Sequence, residues 1–399
     1  MGKLIVHNDK IADKHEFAKK CPFSAMEVGA DGNLTINSAC KMCRVCVRAS
    51  KNGEVEFVED ENKVLLDKSL WKGICVYVDH VEGKIHPVTY ELIGKAKELA
   101  DKISQPVYAL FIGCGITEEA KELLHYPVDE VIVYDMPELK DFRVEPYTAV
   151  FEAFVKERRP GSILVGATTV GRQLAPRIAA RMKTGLTADC TVLDMEPNSD
   201  LSQIRPAFGG NIMANIYTPN HRPQMATVRY KIMEAAKRSE ETHGKLTEKK
   251  LPADKLKSGI EILAVEKKPK VKMIEQADII VAVGRGLKRK EDLDLIQKFA
   301  DSIGAELAGT RPLVEAGWID GKRQIGLSGR TVRPKLIVCL GISGSVQFAA
   351  GMNGADNIIA VNTDPEAPIF NIAHIAVVGD LYEILPALTD MIKNGKAAN

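Results

Sequence analysis

The chain has no apolar run near the ~18 residues that a membrane-spanning helix requires, and its first ten residues have no long apolar stretch of the secretory kind. Position 6 is Val6, where a myristoylation signal needs Ser or Thr. No membrane span, secretory signal or lipid anchor is expected, and the protein reads as cytoplasmic. An excess of one charge is also lacking, since 54 Lys and Arg face 53 Asp and Glu in 399 residues. A nucleic-acid-binding protein would be basic, so no nucleic-acid partner is expected. None of the eight His residues has metal-ligand spacing, and there is no G-x-G-x-x-G fingerprint. No convincing acid/base pair stands out either. These absences disfavour a stand-alone NAD dehydrogenase. What is present is an ordinary globular composition, 45% hydrophobic and 27% charged, long enough for two or three domains.

Cysteine is sparse, with eight residues, but four of them fall early, at Cys21, Cys40, Cys43 and Cys46. A cytoplasmic thiol cluster points to metal rather than disulfides. Cys40-x-x-Cys43-x-x-Cys46, with Cys21-Pro22 upstream, matches the iron–sulfur pattern C-x2-C-x2-C-x3-C-P, whose last Cys serves the other cluster. A second motif would place cysteines where Ile11, Lys14 and Phe17 stand, and its partner Cys at Ser50. Both halves of a second cluster are absent together, which leaves one [4Fe–4S] cluster on Cys21, Cys40, Cys43 and Cys46. The alternative is a four-cysteine zinc site, which usually uses two separated C-x2-C knuckles. Cys75, Cys114 and Cys339 lie in or beside strand-like runs and read as small core residues.

The chain divides by texture. Residues 1–66 form short β-rich elements, with a hairpin at Asp31-Gly32-Asn33 and a second around Lys51-Asn52-Gly53 leading into Val55–Val58. In 67–245, strands at Val76–Val78, Val107–Ile112, Val131–Val133 and Ile163–Val165 alternate with helical stretches, and an exit helix is expected at Arg229–Arg238. Residues 246–270 read as a Lys- and Glu-rich linker with some structure at Ile260–Val265, and 271–399 as a second α/β domain. The fold class is α/β: a small ferredoxin-like α+β module, then two domains with mostly parallel sheets, the last Rossmann-like.

In open α/β sheets ligands sit beyond the carboxyl ends of the strands. There the last domain carries Gly284-Arg285-Gly286, Gly341-Ile342-Ser343-Gly344-Ser345, Asn362-Thr363-Asp364 and Gly379-Asp380-Leu381. Glycine lets backbone N–H groups approach a phosphate, and a helix opening after Ser345 would add its dipole. Arg285 and Arg311 add charge; Asp380 caps the last helix or meets a ribose hydroxyl.

The stretch from Cys21-Pro22 through Asp31-Gly32 to the Cys triplet resembles a bacterial ferredoxin. Residues 71–399 resemble the alpha subunit of electron transfer flavoproteins. The resemblance rests on Val283–Lys288, Gly309–Pro312, Gln324–Val332, Gly341–Gln347, Asn362–Phe370 and Gly379–Leu381, and in the middle domain on Gly171–Arg181, Gly185–Cys190 and Arg205–Asn211. It implies FAD in the C-terminal domain. Arg285 would lie beside the flavin. Thr310 and Arg311 would approach the ring and diphosphate, and Ile325, Gly326, Leu327 and Ser328 the flavin edge. Ser343, Gly344, Ser345, Val346, Gln347 and Phe348 would hold the diphosphate and pyrimidine side, and Asn362, Asp380 and Leu381 the adenosine half. Leu327 stands where many members have Gln, and Phe348 where many have His, a donor to the flavin carbonyl.

Together the two resemblances imply an alpha subunit of an electron-bifurcating or confurcating flavoprotein. Its partners would be a beta subunit with a second FAD that meets NAD(H), a flavin-dependent dehydrogenase, and external ferredoxin. The single-cluster module is similar to that of complexes oxidising lactate. An acyl-CoA or enoyl-CoA dehydrogenase partner, or a simple non-bifurcating carrier, is the alternative. Gly171-Arg172 reads as subunit packing rather than a nucleotide site, and Arg177 and Arg181 as a salt-bridged or partner-facing surface.

Overall fold

The structure is a computed structural model that describes residues 3–58, 66–207, 210, 212–266, 273–393 and 395. The chain forms two compact units, Met1–Leu66 and Asp67–Asn399.

In the first unit, β1 (Lys3–Val6) pairs antiparallel with β4 (Val55–Val58), and β2 (Met26–Val28) with β3 (Leu34–Ile36). Helices α1 (Lys14–Ala18) and α2 (Val45–Arg48) lie between them in sequence. Asp13 caps α1 by accepting from the Glu16 N–H at 2.9 Å. The core is small: Ile11, Phe17, Met26, Leu34, Cys46 and Val55. The expected hairpin before Val55 is instead a turn built on the Glu54 carboxylate, which accepts from Asn52 N–H at 2.7 Å and Ser50 hydroxyl at 2.8 Å. That leaves β4 free to pair with β1, a non-local partner.

In the second unit the chain runs through β5 (Ile74–Val78), a hairpin of β6 (His80–Val81) and β7 (Lys84–Ile85), α3 (Val88–Ile103), β8 (Val107–Gly113), α4 (Thr117–Ala120), β9 (Glu130–Asp135), α5 (Val144–Arg158), β10 (Ser162–Gly166) and α6 (Thr169–Met182). It continues through β11 (Leu186–Cys190), β12 (Val192–Met195), β13 (Leu201–Ala207), β14 (Ile212–Ile216), β15 (Gln224–Val228) and β16 (Lys245–Glu248). The parallel sheet order is β11-β15-β10-β5-β8-β9-β16, and β12-β13-β14 form a separate antiparallel sheet. Central strands such as Ile74–Val78 are buried throughout, as a sheet covered on both faces demands. Val88, Leu92, Ala96 and Leu99 recur at helical spacing to bury one face of α3.

Two sequence expectations are corrected here. Arg229–Arg238 is not helical: it crosses α3 as an extended strap, because its N–H groups are taken by other partners. Lys231 N–H donates to Glu91 at 2.9 Å and Ala236 N–H to the Tyr90 carbonyl at 2.9 Å. Lys245–Glu248, placed at the domain end and in the linker, is the edge strand β16 along β9. Ile260–Val265 has no regular secondary structure, and the linker's last residues lie outside the described residues.

The remaining elements are β17 (Ile279–Val283), α7 (Leu293–Ser302), β18 (Glu306–Gly309), α8 (Arg311–Glu315), β19 (Leu336–Leu340), α9 (Val346–Ala349), β20 (Ile358–Asn362), β21 (Ile375–Val378) and α10 (Leu381–Lys393). The sheet order β18-β17-β19-β20-β21 is all parallel. By chain rank this is 2-1-3-4-5, a doubly wound order whose switch point falls between β17 and β19. No helix among the described residues is long and apolar enough to cross a membrane.

Candidate functional site

A cavity of about 400 Å³ opens at the carboxyl ends of β18 and β19, a size typical of small-molecule sites. Nine of the sixteen residues expected around a flavin line it: Thr310, Arg311, Ile325, Gly326, Leu327, Ser328, Ser345, Gln347 and Phe348. The loop 325–328 is fixed on several sides. Ile325 N–H donates to the Gly309 carbonyl at 3.0 Å, Leu327 N–H to the Gln347 carbonyl at 2.9 Å, and Gln324 holds the Ser328 hydroxyl at 2.8 Å. Phe348 is buried and apolar.

The other seven lie along the same sheet edge without lining the cavity. Arg285 is exposed. The Ser343 carbonyl accepts from Ile369 N–H at 3.0 Å, Val346 is exposed, and Asn362 Nδ2 donates to the Ile342 carbonyl at 2.9 Å. Gly344 follows Ser343 on the β19 turn. Asp380 takes the capping role: its Oδ1 accepts from Tyr382 N–H at 2.9 Å, and Leu381 is buried. The glycines after β17 and β19 serve close backbone packing. A Cβ on Gly286 would stand 2.5 Å from the Gly341 Cα. Helix α9 is a single turn of four residues, so the dipole expected after Ser345 is small.

Sequence reasoning missed the middle domain's share of the wall. Asp189, Thr191, Arg205, Pro206, Ala207, Gly210 and Arg229 complete the cavity. Arg229 Nη2 donates to the Leu327 carbonyl at 2.6 Å and pairs with Asp189 at 3.2 Å, while Arg172 holds the other Asp189 oxygen at 3.0 Å. The signal was present in Gly185–Cys190 and Arg205–Asn211, of which Phe208, Gly209 and Asn211 lie outside the described residues. The buried Thr191 hydroxyl has no hydrogen-bond partner among the described residues. Three guanidinium groups line the cavity, Arg229 paired with Asp189 and Arg311 with Glu315 at 2.7 Å, and beside Ile325, Leu327 and Phe348 they suit a ligand that joins an aromatic ring to an anionic group.

In the first unit, Cys21, Cys40, Cys43 and Cys46 line one narrow cavity with Leu4, Ala25, Met26 and Ile36. Ala25 N–H donates to Cys21 Sγ at 3.3 Å and Met42 N–H to Cys40 Sγ at 3.4 Å. Met42 (φ 53°) and Arg44 (φ 59°) are left-handed on either side of Cys43, a conformation costing about 1–2 kcal/mol for a residue with a Cβ. Burial pushes the Cys46 thiol above its ordinary value and nearby Cys40 and Cys43 add to this, against opposing backbone N–H groups. Among the described residues no three His, Cys, Asp or Glu side chains are set to hold a single metal ion. Cys75, Cys190 and Cys339 are buried; burial pushes the Cys190 and Cys339 thiols up to about 12. Cys114 is exposed.

Two βα turns at the carboxyl edge of the middle domain's parallel sheet are filled. At the switch point between β5 and β10, Thr168 donates to buried Asp79, and a Cβ on Gly171 would stand 1.9 Å from the Gly166 carbonyl oxygen. After β8, the Asp135 carboxylate accepts from the N–H groups of Gly115, Ile116 and Thr117 and from the Thr117 hydroxyl, at 2.6–3.0 Å. Burial alone would raise Asp135, but these bonds outweigh it and lower its pKa. Arg181 pairs with Glu152 at 2.8 Å.

The electron transfer flavoprotein domain family matches residues 74–254, and the electron transfer flavoprotein FAD-binding domain family matches 273–353. A two-sheet flavoprotein subunit that moves electrons is the class these features define. The chain belongs to the electron transfer flavoprotein alpha subunit family. It is 58% identical over 391 residues, 98% of this chain and 93% of the relative, to the lactate dehydrogenase (NAD(+),ferredoxin) subunit LctC of Acetobacterium woodii. It is 41% identical over 337 residues to the electron transfer flavoprotein subunit alpha of Megasphaera elsdenii, covering 83% of this chain and 99% of that one. Protein FixB of Azorhizobium caulinodans is 40% identical over 328 residues, 81% of this chain and 89% of its own length.

Proposed function

We propose that this chain is the alpha subunit of an electron-bifurcating or confurcating complex, holding FAD in the cavity at β18 and β19 and one [4Fe–4S] cluster on Cys21, Cys40, Cys43 and Cys46. Bound there, FAD exchanges electrons singly or in pairs and the cluster exchanges them singly. The observation that carries this reading is the convergence of four thiols on one cavity in a compact unit ahead of the flavoprotein domains. The relative from Acetobacterium woodii, named for both NAD(+) and ferredoxin, matches across that unit as well.

The chain's own residues supply binding and orientation. Arg205, Arg229 and Arg311 give the cavity positive charge for a diphosphate, and Ile325, Leu327 and Phe348 give it an apolar wall for the ring. Arg229 ties the flavin-edge loop to the middle domain through the Leu327 carbonyl. Arg285, Ser343, Gly344, Val346, Asn362, Asp380 and Leu381 extend the site along the sheet edge. In the first unit, the Ala25 and Met42 N–H groups stabilise anionic sulfur, and left-handed Met42 and Arg44 flank Cys43 where the triplet lines the thiol cavity. The partners in this reading are a beta subunit with a second FAD and NAD(H), a flavin-dependent lactate dehydrogenase, and ferredoxin, all in the cytoplasm.

The test replaces Cys43 with Ala in the assembled complex. FAD content, subunit assembly and dye-linked lactate oxidation should persist, while ferredoxin-coupled NAD turnover collapses. Coupled turnover at the wild-type rate would make the thiol site a structural staple and end the ferredoxin role.

A further inference from the structure

We infer that the face of the first unit over Cys40 and Cys43 docks an acidic one-electron carrier protein of the ferredoxin class. This rests on the reading of the thiol cavity as a cluster site and adds where the carrier sits.

Cys46 is buried, whereas Cys43 is exposed. The surface around it is apolar: Met42 is 40% exposed and Phe23 47%. An open groove beside them runs over Leu4, Ile36, Met42 and Phe57 to Cys40. Among the described residues, every charged residue that lines this groove or the thiol cavity is cationic: Lys3, Lys41 and Arg44. Arg44 is held in place, its guanidinium 3.6 Å from the Phe57 ring centroid, and Arg48 reaches the Cys43 carbonyl at 3.4 Å. Five of the unit's described carboxylates are committed elsewhere. Asp13 caps α1, Glu16 pairs with Lys19, Asp31 holds Asn33, Glu54 holds its turn and Glu56 faces His7. Glu56 lies one residue from Phe57 on β4, and alternation along a strand points it to the opposite face.

An exposed apolar patch rimmed by one sign of charge is the form of a transient electron-transfer interface. The cationic rim steers an acidic protein, and the apolar centre brings its redox group within reach of Cys43 at the surface. One electron crosses between cluster and carrier, with no bond made or broken and no proton moved.

The test uses the full chain purified anaerobically with its partner subunits, comparing wild type with the Lys3→Glu, Lys41→Glu double variant. The readout is direct binding of oxidised ferredoxin at low and raised ionic strength, with iron and flavin content as controls. The double variant should bind about tenfold more weakly at low salt and show a flatter salt dependence. Lys3→Arg with Lys41→Arg should bind as wild type does. Equal affinity and equal salt slope in the charge-reversed protein, with iron intact, overturns the assignment of this face. Wild-type protein that lacks iron, or that holds iron and binds no ferredoxin, overturns instead the reading on which the assignment rests.

Discussion

The second unit contains two parallel sheets of related construction, and they treat the carboxyl edges of their strands in opposite ways. In the sheet of β5 to β16, Asp79, Thr168 and Asp135 occupy the places where a nucleotide's polar groups would lie. In the sheet of β17 to β21, the corresponding edge opens into a cavity. The difference teaches that a doubly wound order says where a ligand would sit and not whether one does. A carboxylate that accepts four hydrogen bonds serves as an internal substitute for an anion. The filled sheet has become a scaffold, and the middle domain around it contributes Arg205, Thr191, Asp189 and Arg229 to the neighbouring cavity.

The largest way to break this contrast is to force apart the packed backbone turns after β17 and β19, beside the open cavity. Gly341 has φ 57°, and a Cβ there would stand 2.7 Å from the Gly286 Cα. Gly341→Val should destabilise the C-terminal domain by about 3 kcal/mol or more and abolish flavin binding, as read by absorbance of the purified complex and by denaturant titration. Unplugging the filled sheet should cost less and spare the flavin. Asp135→Ala strands three N–H groups and a hydroxyl, which costs about 1–3 kcal/mol where they stay buried. Flavin content at the wild-type level beside lowered stability is the expected result; loss of flavin would show the two sheets to be coupled there.

A smaller change sharpens the chemistry of the open site. Phe348→His should supply a donor at the flavin and raise the potential of the bound FAD by about 60 mV, the equivalent of about 1.4 kcal/mol for one electron. Spectroelectrochemical titration measures it, and an unchanged potential would place Phe348 away from the ring. The smallest effect concerns the strap that delivers Arg229. Burial, against the Lys231 N–H bonds, raises Glu91 to about 7 from 4.5. The folded protein therefore keeps a proton that the unfolded chain releases. Stability from this group is full below about 4.5 and is lost as pH rises through about 7. Glu91→Gln should remove that slope from the difference in denaturation midpoints between variant and wild type.

Much of this was legible because the signals are local. The Val- and Ile-rich runs at Ile279–Val283 and Leu336–Leu340 mark buried parallel strands, and the polar turn after the second reaches the cavity through Ser345. The spacing of Cys40, Cys43 and Cys46 marks the thiols that gather with Cys21 at one narrow cavity. What stayed hidden depends on distant partners. Lys3–Val6 becomes a strand only by meeting Val55–Val58, and Lys245–Glu248 only by extending along β9. Arg229–Arg238 has a helical composition, but Glu91 and Tyr90 take its N–H groups. Arg229 enters the site through the Leu327 carbonyl, far along the chain, and Asp189 through its pair with Arg229, and no periodicity announces that.

The proposed function requires one chain to hold two kinds of redox centre, each in its own unit. Anaerobic purification of the chain with its beta subunit, followed by iron, zinc and flavin analysis, tests this most directly. About four irons per chain, lost with Cys21→Ala, and FAD retained in that same variant, is the predicted result. One zinc and no iron per chain, or FAD that leaves together with the iron, would contradict it.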